Sequence, residues 1–284
     1  MEVIHRAPGA RLAPFVASLG FYADADAAGW ETRVSDAGSQ LVINLAGDVT
    51  SCFDGPGFAH RHQAGGAALC GPHPRPVLLD VTQQRSMICV AFRPGGAYPF
   101  FRYPADELTG PVIDLGDLWG RDGATLAERL RAAPGPHAAL AEVEAVLLAR
   151  AVRPLRADPL IAAAAAALRG DRPVAAVSDG LGLSPRLLRR RFAARVGVSP
   201  KRFARTQRMQ HLLAAVSAGS AGSASAGSAG GAVAAPVDWA RAAAEFGFYD
   251  QAHLIHEFRA FTGGTPAAYR ARSATEPNHV RRPA

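Results

Sequence analysis

Lysine is almost absent from this chain: Lys201 is the only one, and the other 30 of its 31 basic residues are arginine. Together with the abundance of alanine, that bias reflects a GC-rich coding sequence rather than a function. Cysteine is scarce too. Cys52, Cys70 and Cys89 stand 18 and 19 residues apart, which fits no CxxC-type zinc site. An odd number of cysteines without a secretion signal argues against a disulfide framework, so buried free thiols are expected. No apolar run reaches the roughly 18 residues of a membrane span, and the first twenty residues lack a charged-then-apolar leader. The expectation is a soluble cytoplasmic protein with no membrane partner. Also missing are a Walker loop, a nucleophile elbow, a dinucleotide fingerprint and an HExxH zinc motif, so no enzyme class is indicated.

Acidic residues are missing from one stretch in particular. Ser184 to Gln210 holds nine basic residues (Arg186, Arg189, Arg190, Arg191, Arg195, Lys201, Arg202, Arg205, Arg208) and no acid. A solvated helix face normally mixes signs, so a single-signed run fits a phosphate backbone better. The wider balance agrees. Residues 1–150 carry 12 basic and 16 acidic residues, whereas residues 151–284 carry 19 and 8. An acidic or neutral first half is thus joined to a second half suited to a polyanion.

The basic stretch opens one copy of an internal repeat. "SPRLLRRRFAARVGVSPKRF" from Ser184 aligns with "DQAHLIHEFRAFTGGTPAAY" from Asp250 at a constant offset of 66. Leu188 falls on Leu254, Phe192 on Phe258, Gly197 on Gly263, Pro200 on Pro266 and Phe203 on Tyr269. Ser184 and Asp250 are good N-caps, with Pro185 at the first helical position. The apolar residues recur at i and i+4, giving each helix one buried stripe, and each glycine suits a left-handed helix end. Upstream lie "PVAAVSDGLGLS" and "DWARAAAEFGFYD", each a short helix and a glycine turn. Short helix, turn and capped second helix make a helix-turn-helix, here present twice.

With those residues in place, residues 173–272 resemble the paired DNA-binding domain of AraC-type transcriptional regulators. The most specific segment is "GFYDQAHLIHEFRAFTGGTPAAYR", Gly247 to Arg270. The resemblance implies two recognition helices in successive major-groove segments of double-stranded DNA. Base-facing positions would be Arg186, Arg189 and Arg190 in the first unit, and Gln251, Ala252, His253 and His256 in the second. Arg205 is expected on the phosphate backbone. The three arginines of the first unit also share one face away from Leu188 and Phe192, and arginine is the usual bidentate reader of guanine. The second unit departs from the family: His256 stands where a basic residue is usual, Glu257 follows it, and residues 238–272 balance four acids against four bases.

The front half reads differently. Residues 30–103 are rich in β-branched runs punctuated by Gly, Pro and Asp. Residues 122–150 read as helical with a break at Pro134, and Leu140, Val143, Leu147 and Leu148 form a face for the barrel or for a second subunit. "CVAFRPGGAYPFFRYPADELTGPVIDLGDLWG" resembles the N-terminal domain of an uncharacterised branch of AraC-type regulators, which implies a cupin-like β-barrel and a small-molecule effector. Arg93 is the candidate for gripping an anionic effector. His60 and His62 are similar to the histidine pair of a metal-binding cupin, but "HRHQAGGAALCG" supplies no acid, so no metal or other cofactor is expected.

The expected fold is α+β in two domains: an N-terminal cupin-like β-barrel with flanking helices and a C-terminal all-α domain with two helix-turn-helix units. The boundaries are a sensing domain at 1–150, a linker and helix at 151–172, and the DNA-binding domain at 173–272. Within that domain lie a first helix-turn-helix at 173–197, a connecting helix at 200–216, a flexible Gly/Ser/Ala insertion at 217–236 and a second helix-turn-helix at 238–263. A disordered tail at 273–284 follows. The function read from these parts is a sequence-specific transcription regulator that performs no chemistry, works with RNA polymerase and is open to homodimerisation. The alternative is a cupin-like metal-dependent enzyme carrying a DNA-binding tail, which stoichiometric metal in the purified protein would favour.

Overall fold

The computed structural model describes residues 2–225, 237–273 and 276–282. Two antiparallel six-stranded sheets make up the first half. Their strands are β1 (Glu2–Arg6), β2 (Val16–Ala23), β3 (Trp30–Arg33), β4 (Gln40–Asn44), β5 (Val49–Asp54), β6 (His60–Gly65), β7 (Ala67–Cys70), β8 (Val77–Asp80), β9 (Ser86–Phe92) and β10 (Ile113–Asp114). The first sheet runs β1-β2-β9-β4-β7-β10. The second runs β11-β12-β3-β8-β5-β6, where β11 (Ala271–Ser273) and β12 (Glu276–Arg281) come from the far end of the chain.

Side chains alternate across the first sheet as strand geometry requires. Leu41, Ile43, Ile88, Val90 and Phe92 point to one face, where they meet the helices α1 (Leu115–Trp119), α3 (Leu126–Arg131) and α4 (Pro136–Ala149), with the short α2 (Arg121–Ala124) between α1 and α3. Phe100, Phe101, Leu115, Leu140 and Leu147 are fully buried in this layer, each contributing about 1.5–3 kcal/mol relative to exposure. Trp119 stacks on Phe101 at 5.4 Å and its indole N–H donates to the Phe100 carbonyl at 3.0 Å, so its polar edge is satisfied. The face of Leu140, Val143 and Leu147 is covered from within the chain. Val42, Met87 and Cys89 point the other way, toward the second sheet.

The β domain is therefore two facing open sheets rather than the closed barrel expected. β1 and β10 end the first sheet, and β11 and β6 end the second, so among the described residues no hydrogen-bonded circuit closes. The expectation of a disordered tail is also corrected. β12 pairs with β3 (His279 opposite Arg33, Val280 opposite Thr32), and the Val34 amide donates to the Asn278 carbonyl at 2.8 Å. Two forces hold it there. Val280 is buried with Val34 and Tyr269, and Arg272 and His279 lie 3.5 and 3.3 Å from the buried Glu31 carboxylate. Burial alone would raise the Glu31 pKa, but the His279 hydrogen bond and the Arg272 charge outweigh it and hold the carboxyl below its ordinary value.

The second half is helical: α5 (Pro159–Arg169), α6 (Val174–Gly180), α7 (Pro185–Val196), α8 (Pro200–Ser225), α9 (Trp239–Glu245) and α10 (Gln251–Thr262). The connecting helix thus runs past 216 into the Ser/Ala/Gly stretch as far as Ser225, which corrects the expected start of the flexible insertion. Alanine is the best helix former and can carry a helix through such composition. The rest of that insertion, 226–236, lies outside the described residues.

Candidate nucleic-acid interface

Both helix-turn-helix units are built from the repeated residues, each around its own core. α6 and α7 bury Val177, Leu188, Phe192 and Val196 against Ile161, Ala164 and Leu168 of α5 and Phe203 of α8. α9 and α10 bury Ala243, Leu254, Phe258 and Phe261 against Met209, Leu212 and Leu213 of α8. The caps are equivalent: the Ser184 hydroxyl accepts from the Leu187 amide, and the Asp250 carboxylate from the His253 amide. α7 and α10 both end on a left-handed glycine, Gly197 (φ 91°) and Gly263 (φ 72°). The units differ in the turn. Four residues separate α6 from α7 and five separate α9 from α10, so the turn glycines Gly182 and Gly247 are 65 apart rather than 66.

On the outer face of α7, Arg186, Arg189 and Arg190 are exposed and, among the described residues, form no ion pair. Spacing of i, i+3 and i+4 puts them on one side, opposite the buried Leu188 and Phe192. Lys201, at the start of α8, is exposed as well. Four cations from one short segment thus remain available to an anionic partner.

The other five basic residues of the run are engaged within the protein. Arg191 pairs with Asp158 at 2.9 Å. Arg195 lies over the Tyr98 ring at 3.9 Å. Arg202 donates to the Pro74 carbonyl at 2.6 Å, and Arg208 to that of Gly247 at 3.0 Å. Arg205, expected on the DNA backbone, instead donates to both carboxylate oxygens of Glu257 at 2.7 Å. That pair ties α8 to α10, and it explains why an acid follows His256 in the second unit. The sequence hid these uses because each partner lies on a distant segment.

In the second unit Gln251, Ala252, His253 and His256 are all exposed on α10. His253 is partly committed: its Nδ1 accepts from the Tyr249 amide at 3.2 Å and its ring packs edge-on against Phe248 at 5.7 Å. An accepting Nδ1 leaves the proton on Nε2, which stays free to point outward.

The helical half is fastened to the sheets. Gln207 and Gln210 of α8 donate to the carbonyls of Asp36 and Ser35 at 3.0 and 2.9 Å. The Ser35 hydroxyl in turn donates to the His73 carbonyl at 2.5 Å. His73 is buried, and burial followed by the Arg33 charge pushes its pKa down to about 4. Its Nδ1 lies 2.6 Å from the Arg75 carbonyl, which can only accept, so the neutral ring carries its proton there.

Arg93 donates through Nε to the Ala13 carbonyl at 2.9 Å. It borders a cleft of about 390 Å³ between the sheets and α5, shared with Arg156, Asp158 and Arg195. A second cleft, about 160 Å³, lies between the two sheets and away from Arg93. All three cysteines line it: Cys52 on β5, Cys70 on β7 and Cys89 on β9. Burial pushes Cys52 and Cys89 up to about 12 and raises Cys70 as well, so the thiols stay protonated. Intervals of 18 and 19 had signalled no such grouping; strand pairing creates it. His60 and His62 sit on the edge strand β6, where Asp54 faces both at 3.7 and 2.7 Å. Among the described residues no group of three or more His, Cys, Asp or Glu is arranged to hold a metal ion.

Two family models match parts of the chain. Residues 4–114 match "Domain of unknown function (DUF6597)", a segment running from β1 to β10. Residues 234–271 match "Bacterial regulatory helix-turn-helix proteins, AraC family", which covers the second unit. No curated protein sequence matches. Among solved structures, an apo variant of ToxT from Vibrio cholerae is 10% identical, with a TM-score of 0.46 over 92% of this chain and 97% of that one. ToxT bound to (E)-4-(8-methylnaphthalen-1-yl)but-3-enoic acid is 10% identical, with a TM-score of 0.44 over 87% and 94%. Wild-type ToxT bound to an unsaturated fatty acid is 11% identical, with a TM-score of 0.43 over 92% and 95%.

Proposed function

We propose that the chain, an AraC-type regulator with the family's helix-turn-helix domain at its C-terminal end, reads double-stranded DNA with α7 and α10 together. The carrying observation is the surplus of Arg186, Arg189 and Arg190. They are the exposed cations of a capped helix whose other arginines are all engaged internally. Buried or paired arginines stabilise a fold, whereas an exposed unpaired triplet on one helix face supplies phosphate attraction and bidentate donors for guanine. On α10, Gln251, His253 and His256 offer exposed polar edges with no arginine among them, so the second unit contributes base contacts with less electrostatic attraction.

The β domain serves as the sensor in this reading, and the protein acts by binding alone. Tyr269 supports the coupling. Its ring packs on Phe258 of α10 at 5.5 Å, and its hydroxyl contacts Ser217 of α8 and the Pro277 carbonyl of β12. β12 in turn borders the inter-sheet cleft through Glu276 and His279. A ligand that moves β12 therefore moves the support of the second recognition helix, which shifts the balance between arrangements of the two units. The test is to select DNA from a random pool with the full chain and to repeat the selection with Arg189→Ala and Arg190→Ala. Recovery of one sequence by wild type, with guanines whose preference the variants relax, is the expected result. Recovery of random fragments would refute the proposal.

A further inference from the structure

The inter-sheet cleft holds a charge that, among the described residues, no carboxylate pairs with. Arg33, on β3, is 8% exposed and faces the cleft. The three thiols line the same cleft, and the Arg33 charge acts on each of them. Among the described residues it forms no ion pair with a carboxylate, although Arg272 is paired with Glu31 and Glu276, and His279 with Glu31. Protonated thiols carry no charge to neutralise it. A buried guanidinium is costly unless a carboxylate or similar anion meets it. The second observation is Thr50 on β5, which also lines the cleft and whose hydroxyl is buried without a hydrogen-bond partner among the described residues. Buried hydroxyls normally have one.

We infer that this cleft binds a small organic carboxylate, whose charged end lies on Arg33 and whose carbon body lies against Val42, Val77, Leu79 and Met87. Arginine's planar fork presents two parallel donors to a carboxylate, and the Thr50 hydroxyl offers one more. The apolar wall favours a carbon-bearing acid over an inorganic anion. Its size, about 160 Å³, falls below the roughly 300–1,000 Å³ of pockets for drug-sized ligands, so the acid is a short one. The inference rests on the sensor reading above but concerns a different observable.

The experiment measures binding to the full chain by calorimetry, using benzoate and hexanoate, their primary amides, and inorganic phosphate. The acids should bind at least about tenfold more tightly than the amides, and phosphate should not compete. Arg33→Met should abolish the preference for acid over amide. Thr50→Val removes a hydroxyl that has no partner among the described residues, so it should fold as wild type and weaken acid binding several-fold. Where Arg33→Met fails to fold, Thr50→Val decides alone. Equal binding of acids and amides, displacement by phosphate, no binding of either acid, or undiminished acid binding by Thr50→Val overturns the inference. The same preparation is assayed on the selected DNA. DNA binding without acid binding removes the ligand and keeps the regulator; acid binding without DNA binding does the reverse.

Discussion

Arg205 of α8 and Glu257 of α10 form a forked ion pair across the second helix-turn-helix unit, with both carboxylate oxygens 2.7 Å from one guanidinium nitrogen. The Glu257 side chain is 11% exposed and that of Arg205 43%. The arginine is thus spent on positioning α10, and its removal strands a nearly buried carboxylate. Arg205→Ala should lower stability by about 1–2 kcal/mol, between the values for surface and buried pairs. The salt dependence of DNA binding should keep the wild-type slope. Urea unfolding and a salt titration check both; a slope reduced by about one would return Arg205 to the phosphate backbone.

The free cations of α7 should behave in the opposite way. Arg189→Ala and Arg190→Ala should each cost about 1–3 kcal/mol on the preferred sequence where they read a guanine, with unchanged unfolding midpoints. Lys201→Ala should weaken specific and random DNA alike and flatten the salt slope. Titrations on both DNAs at several salt concentrations separate the two. If all three variants bind both DNAs as wild type does, α7 is not a reading helix.

His73 makes the junction between sheets and helices sensitive to acid. Its pKa falls from an ordinary value near 6.5 to about 4 in the folded chain. The unfolded chain therefore takes up the proton first. This contribution is complete above about pH 6.5 and disappears as pH falls toward about 4, a loss of about 3 kcal/mol at most. Asparagine at this position can still donate to the Arg75 carbonyl without titrating. Denaturant midpoints across that range should fall more steeply for wild type than for His73→Asn. Parallel curves would mean that His73 does not control the acid response.

The three thiols should be inert while the chain is folded. With Cys52 and Cys89 raised to about 12, little thiolate exists near neutral pH, and thiolate is the reactive form. Iodoacetamide at pH 8 should modify them at least about tenfold more slowly in the native protein than in urea. Equal rates would show that the cleft opens freely.

Deleting residues 226–233 should leave the preferred spacing of DNA half-sites unchanged. α8 carries Met209, Leu212 and Leu213 into the core of the second unit, and the Arg205–Glu257 pair clamps it again. The two units are then held by α8 rather than by the chain that follows it. Binding to sites moved apart in one-base-pair steps provides the check. A wild type tolerant of several spacings, made strict by the deletion, would make the segment a tether.

Local signals were legible in the sequence and distant pairings were not. The caps Ser184 and Asp250, the glycine helix ends and the i, i+4 apolar pairs each depend on residues within one turn of each other, and the structure builds each helix around them. The nine-residue basic run could be counted but not apportioned. Asp158, Tyr98, Pro74, Gly247 and Glu257, which engage five of those residues, come from five separate segments. The tail was misread for the same reason. "EPNHVR" lacks a strand pattern, and its pairing depends on Glu31 and Val34, far away in the sequence.

That last pairing fixes an order of assembly on the ribosome. β3 meets β12 only after the whole helical half has been synthesised, so the second sheet emerges with one flank open and waits for its final strands. Until then the exposed edge of β3 can pair with another chain, as unpaired strands do. Separating the sheet domain at residue 150 would make that vulnerable intermediate permanent, and a bulky fusion placed directly after β12 would press on the sheets rather than hang free of them.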